Sequence, residues 1–361
     1  MKRIPFVLLA LLLSGVACSD DSEGPKKEGE SDPVTLTLSD PNATEETKAL
    51  YSNLWAIQSK GFMFGHHDDL MYGRTWYGTE GGSDTKAVCG DYPAVYSFDF
   101  AEHIDDRHAS DPDAQALRLR CCREAYDRGM VLTSCSATNR KFKEWLDRLA
   151  DIAHNLRGSD GKLIPVIFRP FHEHTQTWSW WGASCTTTEE FVNLWKFTVK
   201  YLRDTKGVHN FIYAISPQMD SAKTVDDFYF RWPGDEWVDF VGMDCYQGIN
   251  NAVFVTNLKA ISKVSLAKLK PCGVTETGVE GFTATDYWTT NIHAPLTGRR
   301  VSMVVTWRNK YDPMESGTHY FSVFPGHPSE RDFVKMYNQE NSFFCSDLPD
   351  MYTPAENVTV L

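Results

Sequence analysis

Glu173 and Glu276 are the residues of this chain best placed to do chemistry. Each closes a short apolar run: Ile167-Phe168-Arg169-Pro170-Phe171-His172-Glu173-His174 in one case, Gly273-Val274-Thr275-Glu276-Thr277-Gly278 in the other. Two carboxyl groups facing each other across a cleft are what glycoside hydrolysis requires, one to protonate the leaving oxygen and one to attack or to activate water. The segment Thr177-Trp178-Ser179-Trp180-Trp181-Gly182 follows the first glutamate at once. Sugar rings present apolar C–H faces that flat aromatic rings can cover. Three tryptophans beside a candidate acid therefore point to carbohydrate, with one of the three read as core.

The elements that must position these residues alternate. Candidate strands are Phe62–Phe64, Ala94–Phe98, Met130–Thr133, Leu163–Arg169, Phe211–Ser216, Val238–Asp244, Cys272–Glu276 and Val301–Trp307. Between them lie amphipathic helical patterns at Asp113–Asp127, Phe142–Leu156, Glu189–Tyr201 and Val253–Leu269, with Arg331–Tyr337 as a closing helix. This pattern predicts an α/β fold, a single (β/α)8 TIM-type barrel over residues 34–361. An open doubly wound sheet is the rival, but no glycine-rich phosphate loop follows the first strand. A barrel gathers its chemistry at the C-terminal strand ends. Strand six ends there in Gly242-Met243-Asp244-Cys245-Tyr246, and strand eight in Thr306-Trp307-Arg308-Asn309.

The N-terminus reads as a targeting segment. Lys2 and Arg3 precede the apolar stretch Phe6–Leu13, which is too short to span a bilayer, and Ser14-Gly15-Val16-Ala17-Cys18 follows. Residues 1–17 are expected to be a signal peptide. Cys18 is expected to carry lipid, and 18–33 to form a polar tether to the outer membrane. An ordinary cleavage site after Ala17 is the alternative. Of nine cysteines, the eight beyond Cys18 show no C-x-x-C and no zinc-like quartet. Most are expected to be small buried hydrophobes, with one or two disulfides allowed in an exported protein. The net charge of −12 argues against nucleic acid.

His66-His67-Asp68-Asp69 could be read as a metal cluster. Neighbours on a strand point to opposite faces, so at most two of the four converge, and no second motif of ligand spacing supports them. No metal and no cofactor are expected. His67 or Tyr72 is expected to line the cleft, and Arg169 to pair with a barrel carboxylate. Asp99 and Glu102 are open between substrate contact and a solvated loop.

Several of these segments together resemble glycoside hydrolase family 26, which consists mainly of endo-β-mannanases. Arg169-Pro170-Phe171-His172-Glu173 through Trp178 and Trp181-Gly182 is similar to its acid/base signature. Thr275-Glu276-Thr277-Gly278 resembles its nucleophile strand, Gly65-His66-His67-Asp68 its first-strand motif, and the strand-six and strand-eight segments match as well. The resemblance implies a retaining mechanism with Glu173 as acid/base and Glu276 as nucleophile. It further implies that Tyr246 hydrogen-bonds the nucleophile and that His172 lines the reacting subsite. Trp178 would wall the cleavage point and Arg308 would contact sugar hydroxyls; Trp181 and His67 are expected beside them as further substrate-binding residues. The partner implied is a β-mannan-type polysaccharide met by a monomer, with the membrane touched only through the lipid. A β-1,3-xylan or mixed-linkage β-glucan hydrolase, or a glycan-binding lipoprotein with weak catalysis, are the alternatives.

One region departs from the family. After strand three the chain reads Thr133-Ser134-Cys135-Ser136-Ala137-Thr138-Asn139-Arg140-Lys141, with Ser136 where a histidine is expected and a short loop behind it. This predicts weak glycone subsites, reliance on the Trp178 side, and a preference for longer oligosaccharides.

Overall fold

The computed structural model describes residues 33–104, 111–136 and 142–361. The signal segment, Cys18, the tether up to residue 32 and the strand-three loop 137–141 lie outside the described residues.

Eight parallel strands close on themselves: β1 (Phe62–His67), β2 (Val95–Asp99), β3 (Val131–Ser136), β4 (Val166–Pro170), β5 (Phe211–Ile215), β6 (Phe240–Cys245), β7 (Cys272–Thr277) and β8 (Met303–Thr306). β8 pairs with β1, with Met63 opposite Met303 and Gly65 opposite Val305, which completes the ring. All eight coincide with the strands expected from the sequence, and the fold is the (β/α)8 barrel. The helices Pro112–Asp127, Phe142–Asn155, Thr188–Lys200, Asn251–Lys268 and Glu330–Tyr337 lie within two residues of their expected bounds. Their starts have identifiable causes. Asp111 accepts from Ala114 N–H ahead of Pro112, and Thr187 and Glu190 form a reciprocal capping box.

Strand alternation divides the core. Met63, Val95, Val131, Ile167, Ile212, Phe240, Met303 and Val305 point into the barrel. They form one apolar floor with Leu50, Tyr51 and Leu54 of the helix Glu45–Ile57, which plugs the N-terminal end. That helix was not expected. Its residues from Ala49 to Trp55 are all buried, so no polar face marks the 3.6-residue period. Outward-facing residues such as Phe168, Phe211 and Val166 pack beneath the surrounding helices.

Above the apolar floor the inward positions turn polar, with Ser97, Thr133, Arg169, Asp244 and Thr275 all buried. The bottom of the barrel is thus closed by oil and its top lined with hydrogen-bonding groups. All eight cysteines from Cys89 to Cys345 are free thiols, and five of them are buried. Among the described residues no disulfide forms, and the small-hydrophobe reading of the cysteines holds. No described helix is long and apolar enough to cross a membrane.

Candidate active site

β4 ends at Pro170, which has no N–H with which to extend the ladder. The chain then turns through two non-glycine residues at positive φ, Phe171 (55°) and Glu173 (53°). Such backbone costs about 1–3 kcal/mol per residue and persists only where its surroundings hold it. Here Glu173 N–H donates to the Ser216 carbonyl at 2.8 Å, and the Trp181 indole donates to the His172 carbonyl at 2.8 Å. The tryptophan loop closes tightly on Gly182, where a Cβ would lie 2.3 Å from the Gln176 oxygen.

Glu276 reaches the site by a different device. On β7, Gly273 faces inward, Val274 outward and Thr275 inward, so simple alternation would send Glu276 out beneath the helices. The pairing register with β6 shifts at this point: Met243 lies opposite Val274, but Asp244 lies opposite Glu276. Thr275 is the extra residue of a bulge, and a bulge re-aims the side chain that follows it. Thr275 and Glu276 therefore both face the interior.

One cation organises what they meet. Arg169 is fully buried, and its Nη2 reaches Asp244 Oδ2 at 2.7 Å and Glu276 Oε1 at 2.9 Å. Its Nε donates to Ser216 Oγ at 3.0 Å and its Nη1 to the Thr275 carbonyl at 3.3 Å. The expected carboxylate partnership of Arg169 is thus double. The second oxygen of Glu276 accepts from the Tyr246 hydroxyl at 2.9 Å. Burial alone would raise the Glu276 pKa; Arg169, with smaller contributions from His172 and His67, outweighs it and holds the group below the usual carboxylate range.

Among the described residues, Glu173 has no such cation within hydrogen-bond reach. Its Oε2 accepts from the Trp178 indole at 2.7 Å. Burial first, and the nearby Glu276 charge second, push its pKa up to about 7. Oxygens of Glu173, Asp244 and Glu276 all lie within 4.8 Å of one another. Cys135, His172 and Glu276 converge equally closely. Both groups could offer ligand atoms to a metal. In both, however, Glu276 already bonds the Arg169 guanidinium, which supplies the charge that a cation would bring.

The structure places the other expected residues on the same rim, in different roles. Trp178 is 57% exposed and forms an open wall, whereas Trp181 is 2% exposed and packs edge-on behind it at 5.3 Å. Trp181 is a support for His172 and Trp178 rather than a sugar-facing surface, because its polar edge is spent on the His172 carbonyl. His172 Nε2 stands 3.9 Å from Glu276 Oε1, and burial lowers its pKa to about 4, so the ring is neutral. His67 is buried against Trp307 (ring centroids 4.1 Å) with Nδ1 2.9 Å from Ser97 Oγ; burial takes its pKa down to about 3. His66 points the other way and pairs with Asp69 at 2.8 Å, so the four-residue cluster does not converge. Arg308 reaches the Tyr72 hydroxyl at 3.5 Å, which in turn donates to Asp68 at 2.6 Å. Glu102 is taken up by Arg118 at 3.0 Å, and Asp99 accepts from Ala101 N–H at 2.7 Å.

Asp244, Thr275 and Ser216 were assigned no role from sequence. A signal for the first existed. An acid inside the run Val238–Asp244 must be buried with its strand, a buried charge needs a partner, and Arg169 is a cation in the same position on β4.

Set beside known proteins, the chain matches the sequence model of glycosyl hydrolase family 26 over residues 39–116 and 103–279. A mannan endo-1,4-β-mannosidase of Bifidobacterium adolescentis is 30% identical over 286 residues, which cover 68% of this chain and 28% of that protein's length. A mannan endo-1,4-β-mannosidase of Bacillus subtilis is 26% identical, over 68% of this chain and 74% of that protein. The structure of a β-mannanase from Bacteroides ovatus superimposes with a TM-score of 0.80 at 34% identity, covering 87% of this chain and 98% of that one.

Proposed function

The chain belongs to glycosyl hydrolase family 26, and from that premise we propose that it is a retaining endo-β-1,4-mannanase acting on mannan, glucomannan or galactomannan. The observation that carries the reading is the carboxyl pair. Oxygens of Glu173 and Glu276 come within 4.8 Å, with one pKa raised to about 7 and the other held low. Retaining pairs stand about 5–5.5 Å apart, and inverting pairs leave about 6.5–9.5 Å for a water. The names of the relatives supply the mannan backbone.

In the first step, ionised Glu276 attacks the anomeric carbon while protonated Glu173 gives its proton to the glycosidic oxygen. The C1–O bond breaks, the leaving saccharide departs with a new hydroxyl, and a glycosyl ester remains on Glu276. Tyr246 and Arg169 keep Glu276 aimed and anionic until then. The ester carries no charge, so one cause of the raised Glu173 pKa disappears and Glu173 ionises more readily. It then takes a proton from water, whose oxygen attacks C1 and releases Glu276. Two inversions give net retention. Trp178, exposed and bonded to the acid, is positioned to cover the leaving sugar.

The test is reducing-sugar release from mannan, glucomannan, galactomannan, lichenan and β-1,3-xylan, with product sizes followed over time. Internal cleavage of the mannans is expected. Turnover of lichenan or β-1,3-xylan alone would overturn the substrate, and binding without turnover would overturn the enzyme.

We also propose that the protein is exported and anchored through lipid on Cys18 at the outer membrane. The supports are Lys2 and Arg3, the apolar stretch Phe6–Leu13, the small residues before Cys18 and the polar run after it. Cys18→Ala should move the protein from the membrane to the soluble fraction. A wild-type protein already soluble, with an unmodified Cys18, would overturn this.

A further inference from the structure

The wall facing Trp178 carries aromatic rings that the two-step chemistry does not use. We propose that Tyr77 and Tyr311 form an outlying sugar-stacking platform at the glycone end of the cleft, a remote subsite for long β-glycan chains. Tyr77 is 50% and Tyr311 41% exposed, and their ring centroids stand 6.1 Å apart with the planes tilted by 55°. Tyr77 also lies parallel to Tyr72, at 6.2 Å and 3°. Tyr72 itself is tied through its hydroxyl to Asp68 and Arg308 on the cleft wall. The three tyrosines thus run from that wall out to solvent.

Topology fixes which end this is. Tyr77 lies on the loop after β1 and Tyr311 on the loop after β8, and these strands are neighbours in the ring. Glu173 and Trp178 follow β4, which stands across an eight-strand ring from β8. The general acid marks the leaving-group side, so the opposite side holds the part of the chain that stays on the enzyme.

The platform is built rather than incidental. Arg74, buried at 2% exposure, knits the two loops together. Its carbonyl accepts from Asp312 N–H at 2.7 Å, and its guanidinium bonds the Gly317 carbonyl and lies over the rings of Tyr320 and Phe324. Asp84 accepts from Arg74 N–H at 2.8 Å and from Asn309 at 3.0 Å, which joins the loops a second time. Tyr72 and Tyr77 close the β1 loop as a bridge. Two exposed rings on loops tied together by buried charges can each cover one sugar ring, at different tilts along a twisting chain, with little loop entropy left to lose.

This proposal rests on the glycanase reading above, and its test separates the two. The measured quantity is the ratio of kcat/KM for mannohexaose to that for mannotriose, in wild type and in Tyr77→Ala, Tyr311→Ala and the double variant. Stacking of this kind is worth about a twofold to tenfold effect per ring, so the ratio should fall about that much in each single variant and further in the double. The Tyr77→Phe and Tyr311→Phe rings should restore it. An unchanged ratio, or an equal loss for Phe and Ala, would overturn the platform while leaving the enzyme reading intact. If wild type cuts no mannan but cuts another β-glycan, the same ratio is read with the oligosaccharides of that glycan.

Discussion

Glu173 and Glu276 share one cleft but not one environment. Around Glu276, at the bulge of β7, stand a guanidinium and a phenol, both donating. Around Glu173 stand an indole N–H and a loop of strained backbone, with the Glu276 carboxylate close by. Both side chains are buried to a similar degree, at 3% and 8% exposure. Burial therefore does not distinguish them; the placement of Arg169 does. Desolvation penalises the ionised form of either acid; of the pair, the one in contact with Arg169 is held low, whereas burial still keeps Asp244, which shares that guanidinium, raised. One buried arginine on β4 thus favours the anion of its partner on β7, while the acid four residues beyond it, past the end of its own strand, is pushed up to about 7.

The sharpest break in that contrast is Glu276→Ala. No ester can form, and turnover should fall by roughly 10⁴–10⁶-fold on every substrate, measured as reducing-sugar release. Glu173→Ala should cost less, about 10²–10⁴-fold on poor leaving groups. Substrates with good leaving groups should still complete the first step and then stall. Azide should rescue that stall and yield a β-glycosyl azide, and an α-azide product would show that the two roles are exchanged. Tyr246→Phe removes one hydrogen bond to a charged acceptor, worth about 1.5–3 kcal/mol, so kcat/KM should drop about 10–100-fold. The acidic limb of its pH profile should also move up, because Glu276 loses a donor that favours its anion. The smallest effect tests the Glu173 side. The alkaline limb of kcat/KM should fall near pH 7, where Glu173 loses its proton. Trp178→Phe deletes a hydrogen bond that lowers this pKa, so the alkaline limb should shift upward. A downward shift would mean that the indole does not act on the anion.

Much of this was legible before any coordinates. The eight apolar runs were legible because strands buried on both faces need uninterrupted β-rich stretches, and Arg169, Asp244 and Glu276 stood out as charges at the ends of such runs. The helix Glu45–Ile57 was hidden because it is buried nearly all round. Trp181 reads from sequence as a sugar contact beside Trp178, since three tryptophans within four residues carry no mark of which faces water.

The sequence by itself determined the alternation of strand and helix, the two glutamates at strand ends and the aromatic-rich loop beside one of them. Each is a local property: residue type, period, and the position of a polar group in an apolar run. Tertiary structure alone decided which way those groups point and what they touch. The extra residue Thr275 turns Glu276 inward against strand parity, and that bulge exists only in the pairing of β7 with β6. The pKa values diverge because Arg169, over 100 residues away in the chain, lies 2.9 Å from Glu276 and beyond hydrogen-bond reach of Glu173. Tyr77 and Tyr311 meet only because ring closure makes β8 and β1 neighbours. Coulomb energies and ring contacts depend on distances through space, and only the closed barrel sets those distances.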